Sequence, residues 1–271
     1  MKVPKAGALA AVIGLALTAS GCGGDDGPQG NLSIGIKFDQ PGVGLREAGG
    51  TFSGFDVDVS TYIAKELGYK PENIEFKRVD SSDRELLLQY NEVKFVAASY
   101  SINDKRKEKV DFAGPYFLAH QDLMVRAGDT SITKPEDLNN KNLCSVTGST
   151  SAENIKSKLA PKASLMELES YSECVFALAD GRVDAMTTDN SILAGYAAQK
   201  ENTGKFKLIG LSLSNENYGI GLKKGNKELQ GKINAALKKM VEDGSWDAAV
   251  KKNFGSANYK SEPAPPITSG N

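Results

Sequence analysis

A strand–helix–strand rhythm that runs through once and then starts again constrains the fold of this 271-residue chain more than any other feature. Residues 32–38 alternate apolar and polar side chains, as a half-buried strand does. Turn material at 50–54 leads into residues 55–67, where Phe55, Val59, Tyr62, Ile63 and Leu67 share one helical face and Gly68 ends the helix. Residues 73–79 read as a strand, 83–90 as a helix and 93–99 as a buried strand. The pattern resumes with strands at 122–126, 142–146, 164–168 and 183–187. Between and after them lie a short helical turn at 134–138 and helices at 151–159, 171–180 and 191–199. Strand-like runs at 206–211 and 218–222 precede amphipathic helices at 228–241 and 245–252. Alternating strands and helices predict an α/β fold with a mostly parallel sheet, and the restart predicts two lobes. Residues 257–271, with Pro263, Pro265 and Pro266, read as a disordered tail.

The first 21 residues belong to a different category. Lys2 and Lys5 precede an uncharged run over 6–17, and Ala19-Ser20-Gly21 places small residues before Cys22. This is the layout of a secretory signal, and its apolar run is too short to cross a bilayer. The run Leu17-Thr18-Ala19-Ser20-Gly21-Cys22 resembles the bacterial lipobox, which implies acylation of Cys22 and cleavage after residue 21. An ordinary signal with a coincidental cysteine is the plain alternative. Residues 22–30 are rich in glycine and would serve as a flexible tether. More than one acyl chain suffices for stable attachment. The expected location is extracytoplasmic, lipid-anchored to the outer face of the cell membrane.

With Cys22 assigned to lipid, Cys144 and Cys174 remain, in a compartment where disulfides persist. A Cys144–Cys174 bridge is expected, with two separate buried thiols as the alternative. A single histidine, His120, and the lack of a Cys-x-x-Cys pair give no basis for a metal site, and no cofactor is implied. A formal net charge of -1 without basic clusters argues against nucleic acid as a partner. There is no Walker A sequence, so ATP hydrolysis would reside in another chain.

Several spaced motifs carry a resemblance. Gly54-Phe55-Asp56-Val57-Asp58-Val59 opens the first helix. Ser101-Ile102-Asn103-Asp104-Lys105-Arg106 is followed by Val110-Asp111-Phe112-Ala113-Gly114-Pro115-Tyr116-Phe117. Val146-Thr147-Gly148-Ser149-Thr150, Gly181-Arg182-Val183-Asp184-Ala185 and Asp189 come later. Together, from about residue 32 to 254, they resemble the family 3 solute-binding proteins, the polar amino-acid receptors of bacterial ABC importers. The cysteine pair and Phe38-Asp39-Gln40-Pro41-Gly42 resemble the glutamate/aspartate-type receptors of Gram-positive bacteria, especially actinobacteria. The resemblance implies a two-lobed fold of the type II periplasmic-binding-protein kind with the ligand between the lobes. Lobe 1 is expected at 31–119 and 216–256, and lobe 2 at 120–215. It implies a monomer that hands an amino acid to a membrane permease and its ATPase subunit.

The same resemblance assigns roles. Arg106 would clamp the ligand's α-carboxylate, since a guanidinium can engage it bidentately. Outside the motif, 104–109 would read as a solvated helix face. Ser101 would share that carboxylate, and Ser99, where the family usually has Gly or Ala, would offer its carbonyl to the α-ammonium. Ordinary strand-end serines are the plain reading of both. Ser149 and Thr150 precede a helix whose amides would hold the carboxylate from the opposite lobe, a position that also suits a plain N-cap. Asp189, beside Thr188 at a strand end, would neutralise the ammonium; alone it would read as an N-cap. Arg46 is expected to read a distal carboxylate, with Lys37 and Arg84 as competitors. Related glutamine receptors carry an aromatic where Ser81 stands, so any apolar lid would fall to Phe38 or Phe52. His120 is expected at the hinge or rim. The competing classes are an enzyme on the same fold, such as a dehydratase or cell-wall lyase, and a sensor ectodomain that signals through a partner. The first would need a proton-transfer group poised in the cleft.

Overall fold

The chain enters its body at β1 (Leu32–Ile36), whose Leu32, Ile34 and Ile36 are sealed in the core. The computed structural model describes residues 1–2, 28, 30–257 and 259–268. The expected signal core, Cys22 and most of the tether lie outside the described residues. After β1, three short strands, β2 (Asp39–Gln40), β3 (Gly44–Arg46) and β4 (Phe52–Ser53), form a small antiparallel sheet. Gly54 then turns the chain into α1 (Phe55–Glu66) with φ at +124°, and a Cβ there would lie 2.3 Å from the Val43 carbonyl oxygen. Glycine is required on both counts. Phe55, Val59 and Ile63 recur every fourth residue and bury that face of α1.

β5 (Ile74–Arg78), α2 (Arg84–Gln89) and β6 (Phe95–Val96) complete the first unit, with β1 parallel to both strands. α3 (Asp104–Lys107) is capped by the Asn103 side chain and leads into β7 (Val110–Arg126), a single strand of 17 residues. The sequence predicts a strand only over 122–126. Gly114-Pro115 reads as a strand breaker there, yet pairing on both flanks carries the strand through.

The second unit contains β8 (Asn142–Val146), α4 (Thr150–Asn154) with a wider turn over Ile155–Leu159, β9 (Ser164–Leu168) and α5 (Tyr171–Ala179). It continues through β10 (Ala185–Asp189), α6 (Asn190–Ala197) and β11 (Phe206–Leu208). β8 lies parallel to β9 and β10, and β10 runs antiparallel to the second half of β7. β12 (Asn215–Lys223) then pairs with the first half of β7, from Asn215↔His120 to Lys223↔Val110, and also with β6. The strand order β5-β1-β6-β12-β7-β10-β8-β9 therefore passes from one lobe to the other through β7. α7 (Lys227–Glu242) and α8 (Ser245–Phe254) return to the first lobe. There, Phe55 packs against Phe117, Trp246 and Phe254.

Cys144 and Cys174 are disulfide-bonded, tying α5 to β8. Closing a loop of this span is worth about 3–4 kcal/mol in the chain-entropy account. The segment after α8 differs from the free tail expected of its prolines. Residues 259–268 have no regular secondary structure but lie on the body. Tyr259 packs on Phe117 and Phe254 and donates to Asn190, and Thr268 N–H donates to Gly114. Tyr259, Ala264 and Ile267 pack against the core, and that apolar contact holds the segment down. Among the described residues, no helix is long and apolar enough to cross a membrane.

Candidate functional site

The wall that lobe 1 presents to the interlobe cleft is cationic. Lys37 directly follows the end of β1, is buried, and donates to Ser81 Oγ at 2.9 Å. Arg84, in the first turn of α2, is only 2% exposed; it donates to the Ala98 carbonyl at 3.1 Å and lies 4.1 Å from the Tyr100 ring centre. Its Nε has no partner. Neither cation forms an ion pair with a carboxylate among the described residues. Burial, and then the charge of Arg84, push the Lys37 ammonium down to about 7. Burial and Arg106 push Arg84 down to about 10. Asp39 and Asp80 offset part of this at Lys37, and Glu85 part of it at Arg84, but a buried cation without a direct ion pair stays costly, and the wall suits an anion.

Arg106 sits on α3, with its N–H held by Asn103 Oδ1. Its guanidinium donates to the Ser101 carbonyl at 2.7 Å and, across the cleft, to the Gly148 carbonyl at 3.1 Å. Ser101 thus orients Arg106 through its backbone and forms an isolated bridge with Tyr218. Ser99 has φ at +42°, the left-handed region that favours glycine. Its N–H donates to Asp56 Oδ2 at 2.8 Å and its hydroxyl to Gln40 Oε1 at 3.0 Å. Asp56, on α1, also accepts from the Tyr116 hydroxyl, and burial pushes its carboxyl up to about 6. The Gln40 Nε2 is buried without a partner.

Lobe 2 answers with a carboxylate and hydroxyls. Ser149 is the N-cap of α4, its Oγ accepting from Ala152 N–H at 3.0 Å, as the plain reading had it. Thr150 turns its hydroxyl to Glu216 Oε2 on β12 at 2.8 Å, so only its backbone is left for the expected carboxylate contact. Asp189 ends β10 in an N-cap position yet makes no side-chain cap bond; it accepts from the Tyr218 hydroxyl at 2.5 Å. Burial and the nearby Glu216 push its carboxyl up to about 8. Thr188, beside it, is 1% exposed and its hydroxyl has no partner. Tyr171, at the start of α5, is buried, and burial and Asp189 push its phenol up to about 12.

One expected residue lies elsewhere. Arg46 is solvent-exposed on β3, its guanidinium 5.9 Å from the Phe38 ring centre. The β2–β3 hairpin points it outward, and its competitors Lys37 and Arg84 occupy the buried positions instead. Phe38 packs against Phe52, and Phe52 against Phe76, in tilted ring contacts within lobe 1. His120 lies where β7 meets the start of β12, its ring bonded to Asn215 and 3.7 Å from Glu262. Sequence reasoning missed Asp56, Gln40, Tyr171 and Tyr218, which look like ordinary helix, turn or core residues. For Lys37 a signal existed: it follows the carboxyl end of a parallel strand, where α/β sheets bind ligands.

Two α/β lobes that share one long strand and turn buried ionisable groups toward each other define a solute receptor of the two-lobed kind. The chain belongs to the bacterial extracellular solute-binding proteins, family 3, which it matches over residues 32–256. It is 44% identical over 268 residues to the glutamate-binding protein GluB of Corynebacterium efficiens, covering 92% of this chain and 90% of that one. It is 40% identical over 223 residues to the ABC transporter glutamine-binding protein GlnH of Bacillus subtilis, covering 82% and 80%. A solved ancestral arginine-binding protein bound to arginine superposes with a TM-score of 0.78 at 38% identity, covering 84% of this chain and 99% of that chain. These relatives confirm the two-lobed, type II α/β fold and an amino-acid-binding protein of the ABC importer kind.

Proposed function

We propose that the protein is a lipid-anchored receptor that captures glutamate outside the cytoplasm and delivers it to a membrane permease. The observation that carries this reading is the pair of buried cations, Lys37 and Arg84, which make no ion pair with a carboxylate among the described residues; Arg84 lies within the fields of Arg106 and Asp189. Arg106, Ser101 and the Ser149 and Thr150 amides hold the α-carboxylate. Asp189, Thr188 and the Ser99 carbonyl hold the α-ammonium. Lys37 and Arg84 hold the distal carboxylate. Glutamine or asparagine would bring no negative charge to these two buried cations, and aspartate would reach them less well. The glutamate-binding name of the corynebacterial relative supports the same choice.

Anchoring rests on Cys22 in its lipobox-like context, and coupling to a permease and ATPase rests on the family. Asp189 is engaged by Tyr218 and suits an ammonium partner, so its role is binding rather than proton transfer. Titration calorimetry with the twenty amino acids tests the proposal. Glutamate is expected to bind most tightly, without turnover. Tighter binding of an uncharged or basic amino acid, or product formation, would refute it.

A further inference from the structure

The β2–β3 hairpin of lobe 1 reaches across the cleft and meets two helices of lobe 2. Asp39 sends its side-chain hydrogen bonds entirely to that side. Its Oδ2 accepts from Tyr171 N–H at 3.1 Å, Ser172 N–H at 3.4 Å and the Tyr196 hydroxyl at 3.2 Å, and the Tyr196 hydroxyl also donates to the Asp39 carbonyl. Ser170 already caps α5 at Glu173 N–H. The Tyr171 and Ser172 amides are among the first-turn donors that a helix cannot satisfy internally, and the opposite lobe supplies their acceptor. A carboxylate at that end also meets the positive pole of the helix.

Two residues further along, at Pro41, the hairpin makes a steric match. A Cβ on Gly195 of α6 would lie 1.9 Å from the Pro41 carbonyl oxygen, so only glycine lets the hairpin seat. Both contacts sit next to ligand residues. Lys37 lies two residues before Asp39 and Gln40 one after it, and the Tyr171 phenol feels the Asp189 charge.

We propose that Asp39 is the closure latch of this receptor: a positioning residue, not a ligand contact, that caps α5 from the opposite lobe and slows ligand release. The inference rests on the receptor reading above, for whichever amino acid is bound. Opening the cleft breaks the latch and leaves two α5 amides to water; closure restores them. The disulfide to Cys144 fixes α5 to β8, so the latch pulls on the strand that leads to Gly148 and Ser149.

The test uses the full chain with fluorophores at the exposed positions 72 and 201, one in each lobe. Single-molecule energy transfer then gives the closed fraction with and without L-glutamate, and stopped-flow mixing gives the rates. Asp39→Ala is expected to release glutamate roughly ten- to a hundredfold faster, with association within about twofold. Its ligand-free unfolding temperature should stay unchanged. Gly195→Ala should lower the closed fraction in the same way without touching any polar group, and Asp39→Asn should fall between Asp39→Ala and the wild type. Unchanged release and closed fraction in both alanine variants would overturn the latch. So would slower association with a lowered unfolding temperature in Asp39→Ala, which would assign Asp39 to the fold of lobe 1. Should the wild type close on a different amino acid, the glutamate reading fails and the latch is read with that amino acid. Should it bind none, the receptor reading fails, and the latch stands only if Asp39→Ala lowers the ligand-free closed fraction.

Discussion

The two walls of the cleft differ in charge and in how their charge is satisfied. Lobe 1 contributes Lys37, Arg84 and Arg106, of which the first two are buried without a carboxylate partner. Lobe 2 contributes Asp189, already hydrogen-bonded by Tyr218, and a run of hydroxyls. A wall of buried cations is a poor way to stabilise a protein and a good way to hold an anion. On the proposed reading, the asymmetry would orient a zwitterion, with its carboxylate toward lobe 1 and its ammonium toward Asp189. One guanidinium suffices for an α-carboxylate, so the surplus positive charge is what calls for a second carboxylate.

The comparison can be broken at either wall. Arg106→Ala removes the guanidinium that every α-amino acid shares, and calorimetry should show about 100-fold weaker binding for all ligands. Similar affinity would show that the α-carboxylate lies elsewhere. Asp189→Asn should cost all α-amino acids about tenfold or more, by loss of the ammonium's counter-charge. It should also flatten the pH response described next.

Burial holds Asp189 near 8, so below that the ligand's ammonium must displace a proton. Affinity for glutamine is therefore expected to rise with pH from about 6 to 8, by up to tenfold per unit, and then level off. Lys37, held near 7, must regain a proton above that pH to meet a second carboxylate. Affinity for glutamate should accordingly gain less above about pH 7 and decline above about 8. Calorimetric titrations at several pH values should show the preference for glutamate over glutamine shrinking toward about pH 9. A constant preference would detach Lys37 from the distal carboxylate. The smallest effect is expected at Arg46→Met, which should leave glutamate affinity within about twofold because Arg46 faces solvent; a selective loss of glutamate and aspartate binding would return the reader to β3.

Much of the architecture was legible in the chain. β8 and β9 fall where alternation placed them, and the restart of the rhythm after residue 120 marked a second lobe. β7 was not legible as one strand, because Gly114-Pro115 carries a local breaker signal that long-range pairing with β12 overrides. In the candidate site, Arg106 and Asp189 drew attention because they stand in spaced motifs, and the structure places both at the cleft. Lys37 and Arg84 were harder: burial of a lone cation runs against the usual preference of lysine and arginine for water. Arg46 is solvent-exposed, which chain position did not reveal, because it places a residue in a loop but does not say which way a hairpin turns it. Asp39 stood in a motif of the resemblance, but nothing in the sequence pointed to its interlobe contacts, since its partners lie more than a hundred residues away.

Whether Lys37 and Arg84 read a second carboxylate can be decided by a single calorimetric ratio. In a variant carrying Lys37→Met and Arg84→Met, glutamate affinity divided by glutamine affinity should fall by about 100-fold relative to the wild type. The ligand-free double variant should stay folded, because neither cation makes an ion pair with a carboxylate among the described residues that methionine would break. An unchanged ratio in a folded double variant would contradict the account.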